Sequence, residues 1–330
     1  MDGPALERGA GAPRACGRQL AAGGGEVSET LILVNPTAGG GRAAGFWERV
    51  RPHAERLAPV RVVTPAGAEA SRRAVLDAVE SGCERVVAVG GDGTAHLAAG
   101  VLLGCKAPAM LGIVPAGTGS DLARPLAIPR DPVQALRRAL LGPPVAIDAG
   151  RCDGERGGFF FVNIASAGVS GMVDETVNAV ATRGRTTFLR CTLTALRRYR
   201  CVPVRVWADG EEWFAGPILL LAVANGTTFG KGMRVAPGAA LDDGLFDVVA
   251  VGEVSGLQLA RRLPQLYFGK HLGAKPVRFR QAREVRLEPE APLPPFDVDG
   301  ETYPSGPVTF RVLPGTLRVA GPLATATAER

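Results

Sequence analysis

Residues 90–94 read GGDGT, placed between the apolar run VVAV and the alanine-rich AHLAAG. Glycines between a strand and a helix permit positive φ and let a ligand approach the backbone, while the N–H groups of the helix start face one concavity that suits phosphate. Thr94 could cap the helix and donate to an oxygen. Asp92 is the unexpected member, because a carboxylate repels phosphate unless a magnesium ion or an incoming hydroxyl lies between them. Its chemistry is therefore that of a metal partner or of a proton acceptor. Alone, such a loop is also compatible with a tight turn.

Two further loops of the same texture point to a ligand rather than to unrelated turns. NPTAGGGR at 35–42 follows the first apolar run, and PAGTGSD at 115–121 follows the fourth. The elements that must position them alternate short β-branched runs with helical ones from Thr30 to about Asp148, which is the pattern of βα units around a parallel sheet. Loops after the strand C-termini of such a doubly wound sheet gather on one edge. A nucleotide polyphosphate is the ligand this implies. No GxxxxGK[ST] occurs and no GxGxxG stands at the first βα turn, so neither the Walker A nor the dinucleotide mode applies.

Beyond Asp148 the texture changes to strands separated by Gly/Pro/Asp turns, with Asp209-Gly210, Asp243-Gly244 and Asp299-Gly300 at expected turn positions. We read residues 1–28 as a disordered N-terminal arm, 29–148 as an α/β nucleotide domain, and 149–330 as a β-rich domain whose last segment returns to the first. Two helical patches, near 172–200 and 255–272, interrupt the second domain.

The composition, 46% hydrophobic and 21% charged, belongs to a globular chain with ample core. Six cysteines without CxxC spacing or Cys/His grouping read as reduced small hydrophobes. No stretch reaches the roughly 20 apolar residues of a spanning helix. The formal charge of +6 favours an anionic partner. Nucleic acid is disfavoured, since the basic residues lack interleaved aromatics.

NPTAGGG, GGDGT, PAGTGSD, PGAALDDGLFDV and DVDGE occur in this order over about residues 30–320. In this the chain resembles the diacylglycerol kinase catalytic-domain family, which includes bacterial soluble lipid kinases and the sphingosine and ceramide kinases. The resemblance implies a phosphofructokinase/NAD kinase-like α/β domain followed by a β-sandwich-like domain, with ATP in the cleft between them and a lipid hydroxyl phosphorylated with Mg²⁺. It assigns nucleotide contacts to Asn35, Pro36, Thr37, Ala38, Gly39, Thr64, Gly91, Asp92, Gly93, Thr94 and Thr118. It assigns a structural magnesium to Asp243 with the carbonyls of Ala240 and Leu245.

The same resemblance makes Glu301 the proton acceptor, with Asp92 its rival and Asp299 beside it, and diacylglycerol the leading acceptor. His96 and Leu97 stand where the family commonly has Asn and Glu, and Ser120 where it often has Asn. Two other readings remain at this stage: an NAD kinase-like soluble kinase, and a non-catalytic nucleotide- or lipid-binding protein. On a helix over residues 183–205, Phe188, Leu189, Thr192, Leu193, Leu196 and Tyr199 fall on one side with Arg190, Arg197, Arg198 and Arg200 flanking them. That is the pattern either of an ordinary surface helix whose apolar face packs on the domain core or of an interfacial helix drawn to anionic headgroups. A cytoplasmic protein that associates peripherally with the inner membrane face follows, and a homodimer is compatible with the chain.

Overall fold

The computed structural model describes residues 30–155, 157–180, 187–254 and 264–323. The N-terminal arm, the start of the basic stretch at 183–186 and the first half of the patch at 255–272, residues 255–263, lie outside the described residues.

The first half alternates β1 (Thr30–Val34), α1 (Arg42–Leu57), β2 (Val60–Val63), α2 (Ala68–Glu80), β3 (Arg85–Gly90), α3 (Asp92–Gly104), β4 (Met110–Pro115) and α4 (Pro132–Leu141). Its strands are parallel in the order β4-β3-β1-β2. Continuous apolar runs in β1 and β3 are explained by cover on both faces. Leu31, Leu33, Val86 and Ala88 pack toward Val75, Ala78 and Leu102. Their neighbours Ile32, Val34, Val87 and Val89 pack toward Trp47, Val50 and Leu136 on the other face. In α3, eight residues from Thr94 to Leu103 are buried, since the helix lies between this sheet and the second half of the chain.

The second half contains β5 (Pro144–Gly154), β6 (Gly157–Phe161), β7 (Ile164–Gly168), α5 (Val169–Asn178), α6 (Thr187–Arg198), β8 (Val202–Ala208), β9 (Glu211–Ala224), β10 (Phe246–Gly252), β11 (Val277–Ala282), β12 (Glu284–Pro289), β13 (Phe296–Val298), β14 (Glu301–Tyr303) and β15 (Val308–Ala320). Its pairings are antiparallel around a core that includes Phe161, Phe246, Phe296 and Phe310. The β8–β9 and β13–β14 turns are the two-residue pairs Asp209-Gly210 and Asp299-Gly300, all four residues at positive φ. That is the backbone a type I′ hairpin demands.

One strand joins the halves. β15 runs antiparallel to β5, shifts register between Leu313 and Leu317, and pairs in parallel with β4 at Val319 and Leu111. Arg138 of α4, 7% exposed, ties down its end by donating from Nε to the Ala320 carbonyl and from Nη1 to that of Ala127, both at 2.9 Å.

Two local expectations change. The run AKPVRFRQAREVRLEPE at 274–290, which reads as one strand segment, breaks at Arg283 into β11 and β12, because β11 pairs β10 whereas β12 pairs β8 and β15. Nor are the six residues grouped on one side of the helix at 183–205 equally covered. Leu189 and Leu193 are 51% and 40% exposed, whereas Tyr199 is buried and donates to the Ile218 carbonyl at 3.1 Å.

Arg138→Met should leave both carbonyls without their partner and cost about 1–3 kcal/mol. Urea unfolding should show a lower midpoint with an unchanged slope.

Candidate active site

The three glycine loops meet because the strands before them are neighbours and end at one edge. Asn35, the residue after β1, joins the first two loops: its Nδ2 donates to Thr94 Oγ1 at 3.1 Å, and its Oδ1 accepts from Thr37 N and Thr37 Oγ1 at 3.1 and 2.8 Å. The third loop is held by the Gly90 carbonyl, which accepts from Ala116 N at 2.7 Å and Gly117 N at 3.1 Å. A Cβ on Gly117 would come 2.6 Å from Gly91 Cα, and one on Gly39 2.7 Å from the Ala116 carbonyl oxygen. Glycine is thus required where backbone meets backbone. Thr94 does not cap α3 as expected: Gly91 is the cap residue and no side chain takes that role. The first N–H groups of the helix therefore keep their capacity for a ligand.

Asn35, Pro36, Thr37, Ala38, Gly39, Thr64, Gly91, Asp92, Gly93, Thr94 and Thr118 all line one cleft of ≈ 1700 Å³, together with Asp299 and Glu301. Glu301 arrives from the second half on the β13–β14 hairpin. A Cβ on Gly93 would sit 2.7 Å from Glu301 Oε1, so this carboxylate lies against the start of α3 and only a glycine leaves it room. Its neighbour Asp299 is held differently. Oδ1 accepts from the N–H groups of Asn163 and Ile164 at 3.0 and 2.9 Å, and Oδ2 from that of Val162 at 2.8 Å and from His96 Nδ1 at 3.0 Å. Those bonds use up most of its acceptor capacity, and its geometry is that of a positioning group. His96 Nε2 lies 3.1 Å from the Tyr303 hydroxyl, so His96 reaches across from α3 to both ends of the hairpin.

Asp92 and Asp121 crowd one glycine. A Cβ on Gly119 would be 2.7 Å from Asp92 Oδ2 and 3.5 Å from Asp121 Oδ2. Burial, aided by the charge of Asp121, pushes the Asp92 carboxyl up to about 6 against the N–H of Leu122, which donates to its Oδ1. Asp121 is also raised, chiefly by burial, although it forms an ion pair with Arg124. Two buried carboxylates that share a site are relieved by a divalent cation between them, and oxygen ligands suit Mg²⁺. A second acidic pair, Asp174 and Asp297, lies in the wall beyond. Burial and the neighbouring Asp174 hold the Asp297 carboxyl well above the usual range.

Past these carboxylates the cleft becomes apolar. Val173 and Val177 of α5, Phe188 and Leu196 of α6, and Phe229 and Met233 form its walls. The sequence reading missed this continuity, since the residues come from distant segments with no shared motif. Lys231, which lines the cleft, was missed as well; its signal was a lysine between two glycines.

Asp243, Ala240 and Leu245 lie apart from this lining, at the turn before β10. Asp243 Oδ1 accepts the Leu245 N–H at 3.0 Å, and Asp148 fixes the turn by accepting from Gly244 N and Gly315 N, each at 2.7 Å. One exposed carboxylate with two carbonyls is an all-oxygen set that fits a hard cation otherwise held by water. Among the described residues, no group of three or more His, Cys, Asp or Glu side chains could hold a metal.

Fold and site together define a class: a parallel α/β half with three glycine-rich loops at its strand ends, facing a β-rich half that adds carboxylates and an apolar chamber. Residues 29–152 match the diacylglycerol kinase catalytic domain, and residues 163–321 the YegS C-terminal NAD kinase beta sandwich-like domain. A diacylglycerol kinase of Mycobacterium tuberculosis is 30% identical over 90% of this chain and 96% of that protein. A YegS-like lipid kinase of Chromohalobacter salexigens is 33% identical over 83% and 86%. The fold is shared with a crystal structure of a diacylglycerol kinase from Bacillus anthracis, at a TM-score of 0.69 and 19% identity over 90% of this chain and 98% of that one. The chain belongs to the diacylglycerol kinase and YegS-like lipid kinase family.

The raised Asp92 carboxyl has a consequence for stability. Because its folded value, about 6, exceeds the ordinary 3.8, the folded state binds the proton more tightly, and stability falls as pH rises through that window. Asp92→Asn should therefore unfold at higher urea than the wild type at pH 7.5, in ligand-free protein, and the difference should vanish near pH 3.5.

Proposed function

We propose that the protein transfers the γ-phosphate of ATP to a lipid hydroxyl, with diacylglycerol as the acceptor and Mg²⁺ as the required ion. The observation that carries this reading is the cleft, in which glycine loops suited to phosphate, a carboxylate against the helix start, and an apolar chamber follow one another.

In this reading the 35–39 and 91–94 loops hold the triphosphate through backbone N–H groups, with Thr64 and Thr118 at its sides. Asp92 and Asp121 would hold the nucleotide's Mg²⁺, which neutralises phosphate charge when bound. The acyl chains occupy the chamber behind Phe188 and Met233, so the hydroxyl is presented at the junction where Glu301 can take its proton. Asp299 acts through the backbone and His96 to keep that hairpin in place. An NAD kinase-like reading is disfavoured, because a polar dinucleotide acceptor gains nothing from an apolar chamber. The non-catalytic reading is disfavoured by the retained carboxylates and by His96, which replaces the usual Asn with an imidazole that bonds Asp299.

Access to a bilayer follows from the outer side of the same chamber. Leu189 and Leu193 of α6 are exposed, as are Tyr267 and Phe268, which follow Leu266 of the cleft wall, and Arg190, Arg197 and Arg198 lie on α6. Apolar side chains flanked by arginines favour docking at an anionic, cytoplasmic leaflet. Among the described residues no helix is long and apolar enough to cross a membrane.

Labelled γ-phosphate from ATP should appear in a lipid extract of diacylglycerol micelles and disappear with EDTA, while NAD offered as acceptor stays unlabelled. Glu301→Gln should lower kcat by about 10²–10⁴-fold at an unchanged melting temperature. Label in NAD alone, or wild-type turnover by this variant, would overturn the assignment.

A further inference from the structure

The short hairpin in which Phe229 and Met233 exchange N–H···O bonds of 3.0 and 2.9 Å turns through Gly230, Lys231 and Gly232, at φ 55°, 67° and 103°. Three successive left-handed residues are natural for glycine and strained for lysine. The turn is nevertheless clamped. Lys231 N donates to Asp121 Oδ2 at 2.8 Å, Thr228 Oγ1 donates to the Asp121 carbonyl at 3.1 Å, and a Cβ on Gly232 would lie 3.3 Å from the Arg124 guanidinium carbon. A strained lysine held this firmly is a reason to look for function rather than for an accident of packing.

Charge gives the reason. Six carboxylates line the cleft, Asp92, Asp121, Asp174, Asp297, Asp299 and Glu301, against two cationic side chains among the described residues, Arg42 and Lys231. Arg42 spends its Nε on the Gly39 carbonyl at 2.8 Å, at the outer loop. Lys231 stands on the other side. Its backbone is bonded to Asp121, next to Asp92, and its Nζ lies 5.2 Å from the centroid of the Phe188 ring that begins the apolar wall. Its flexible four-carbon stem thus starts at the last phosphate-suited loop, on Asp121, and carries a point charge to the edge of the chamber, at Phe188. That is where a phosphoryl group in flight must pass if both ends of the cleft are occupied as proposed.

We infer that Lys231 supplies the cation that contacts the transferring phosphoryl group on its acceptor side. The inference rests on the kinase reading given above. In the step, the lipid oxygen forms a bond to Pγ as the bond from Pγ to the β–γ bridging oxygen breaks. ADP leaves and the hydroxyl proton goes to the Glu301 carboxylate. The Lys231 ammonium keeps its protons throughout and stabilises negative charge on the equatorial oxygens, an interaction strongest in the transition state.

The test uses the full chain, ATP with Mg²⁺, and two acceptors in mixed micelles: uncharged diacylglycerol, and phosphatidylglycerol as an anionic lipid alcohol. Lys231→Gly removes the charge and the backbone strain together, Lys231→Met removes the charge and keeps the stem, and Lys231→Arg keeps the charge. Glycine should raise the melting temperature while lowering kcat by about 10²-fold or more, with KM for ATP and for lipid changed little. Methionine should match that loss without the thermal gain, and arginine should recover part of kcat. The loss should be equal for every acceptor the wild type phosphorylates. Wild-type rates in the glycine and methionine variants, a change in KM alone, or a loss confined to the anionic acceptor would overturn the inference. Failure of the wild type to label any lipid would instead bring down the kinase reading and the inference with it.

Discussion

The Asp299 carboxylate is the joint on which the cleft depends. It binds three consecutive backbone N–H groups, of residues 162–164, and the imidazole of His96 on α3. A buried carboxylate needs such partners, since an ion left without them in a low-dielectric interior costs several kcal/mol. Satisfying it holds the β13–β14 hairpin, the link between β6 and β7, and α3 in one arrangement. Glu301, two residues further on, is set against Gly93 as a result.

The sheet provides the second constraint. Were the halves separate bodies, the cleft could open freely; β15 instead runs from the β-rich half into pairing with β4, and Arg138 fixes its end. The loops at the ends of β1, β3 and β4 therefore face a wall whose distance is set by hydrogen-bonded strands rather than by a linker. A cleft formed in this way can be charged at one end and apolar at the other, because each end is built by a different half of the chain.

Within the site, stability and function pull in opposite directions. Burial drives Asp92 and Asp121 toward their neutral forms while phosphate chemistry calls for charged ones, and a lysine occupies a backbone position that glycine would fill more comfortably. Conflicts of local preference concentrate at working sites, where the surrounding packing holds residues that would otherwise relax.

By itself the sequence determined the alternation of strands and helices in the first half, the three glycine loops, the turn pairs Asp209-Gly210 and Asp299-Gly300, and the family. These are readable because φ-permissive residues and apolar periodicity act over a few positions. It was less reliable where a strand's partner mattered, as at Arg283, and where neighbouring elements decide which apolar residues of a helix are covered, as in α6, whose Leu189 and Leu193 stay exposed while Cys191 and Ala195 are buried. Only the tertiary structure decided that Asp299 spends its oxygens on the N–H groups of residues 162–164 and on His96, that His96 and Tyr303 bridge the halves, that Asp92 and Asp121 crowd one glycine, and that Lys231 enters the cleft. Each of these depends on contacts between residues about 30 to 200 positions apart, and hydrogen bonding, burial and charge coupling at that separation leave no local trace in the chain.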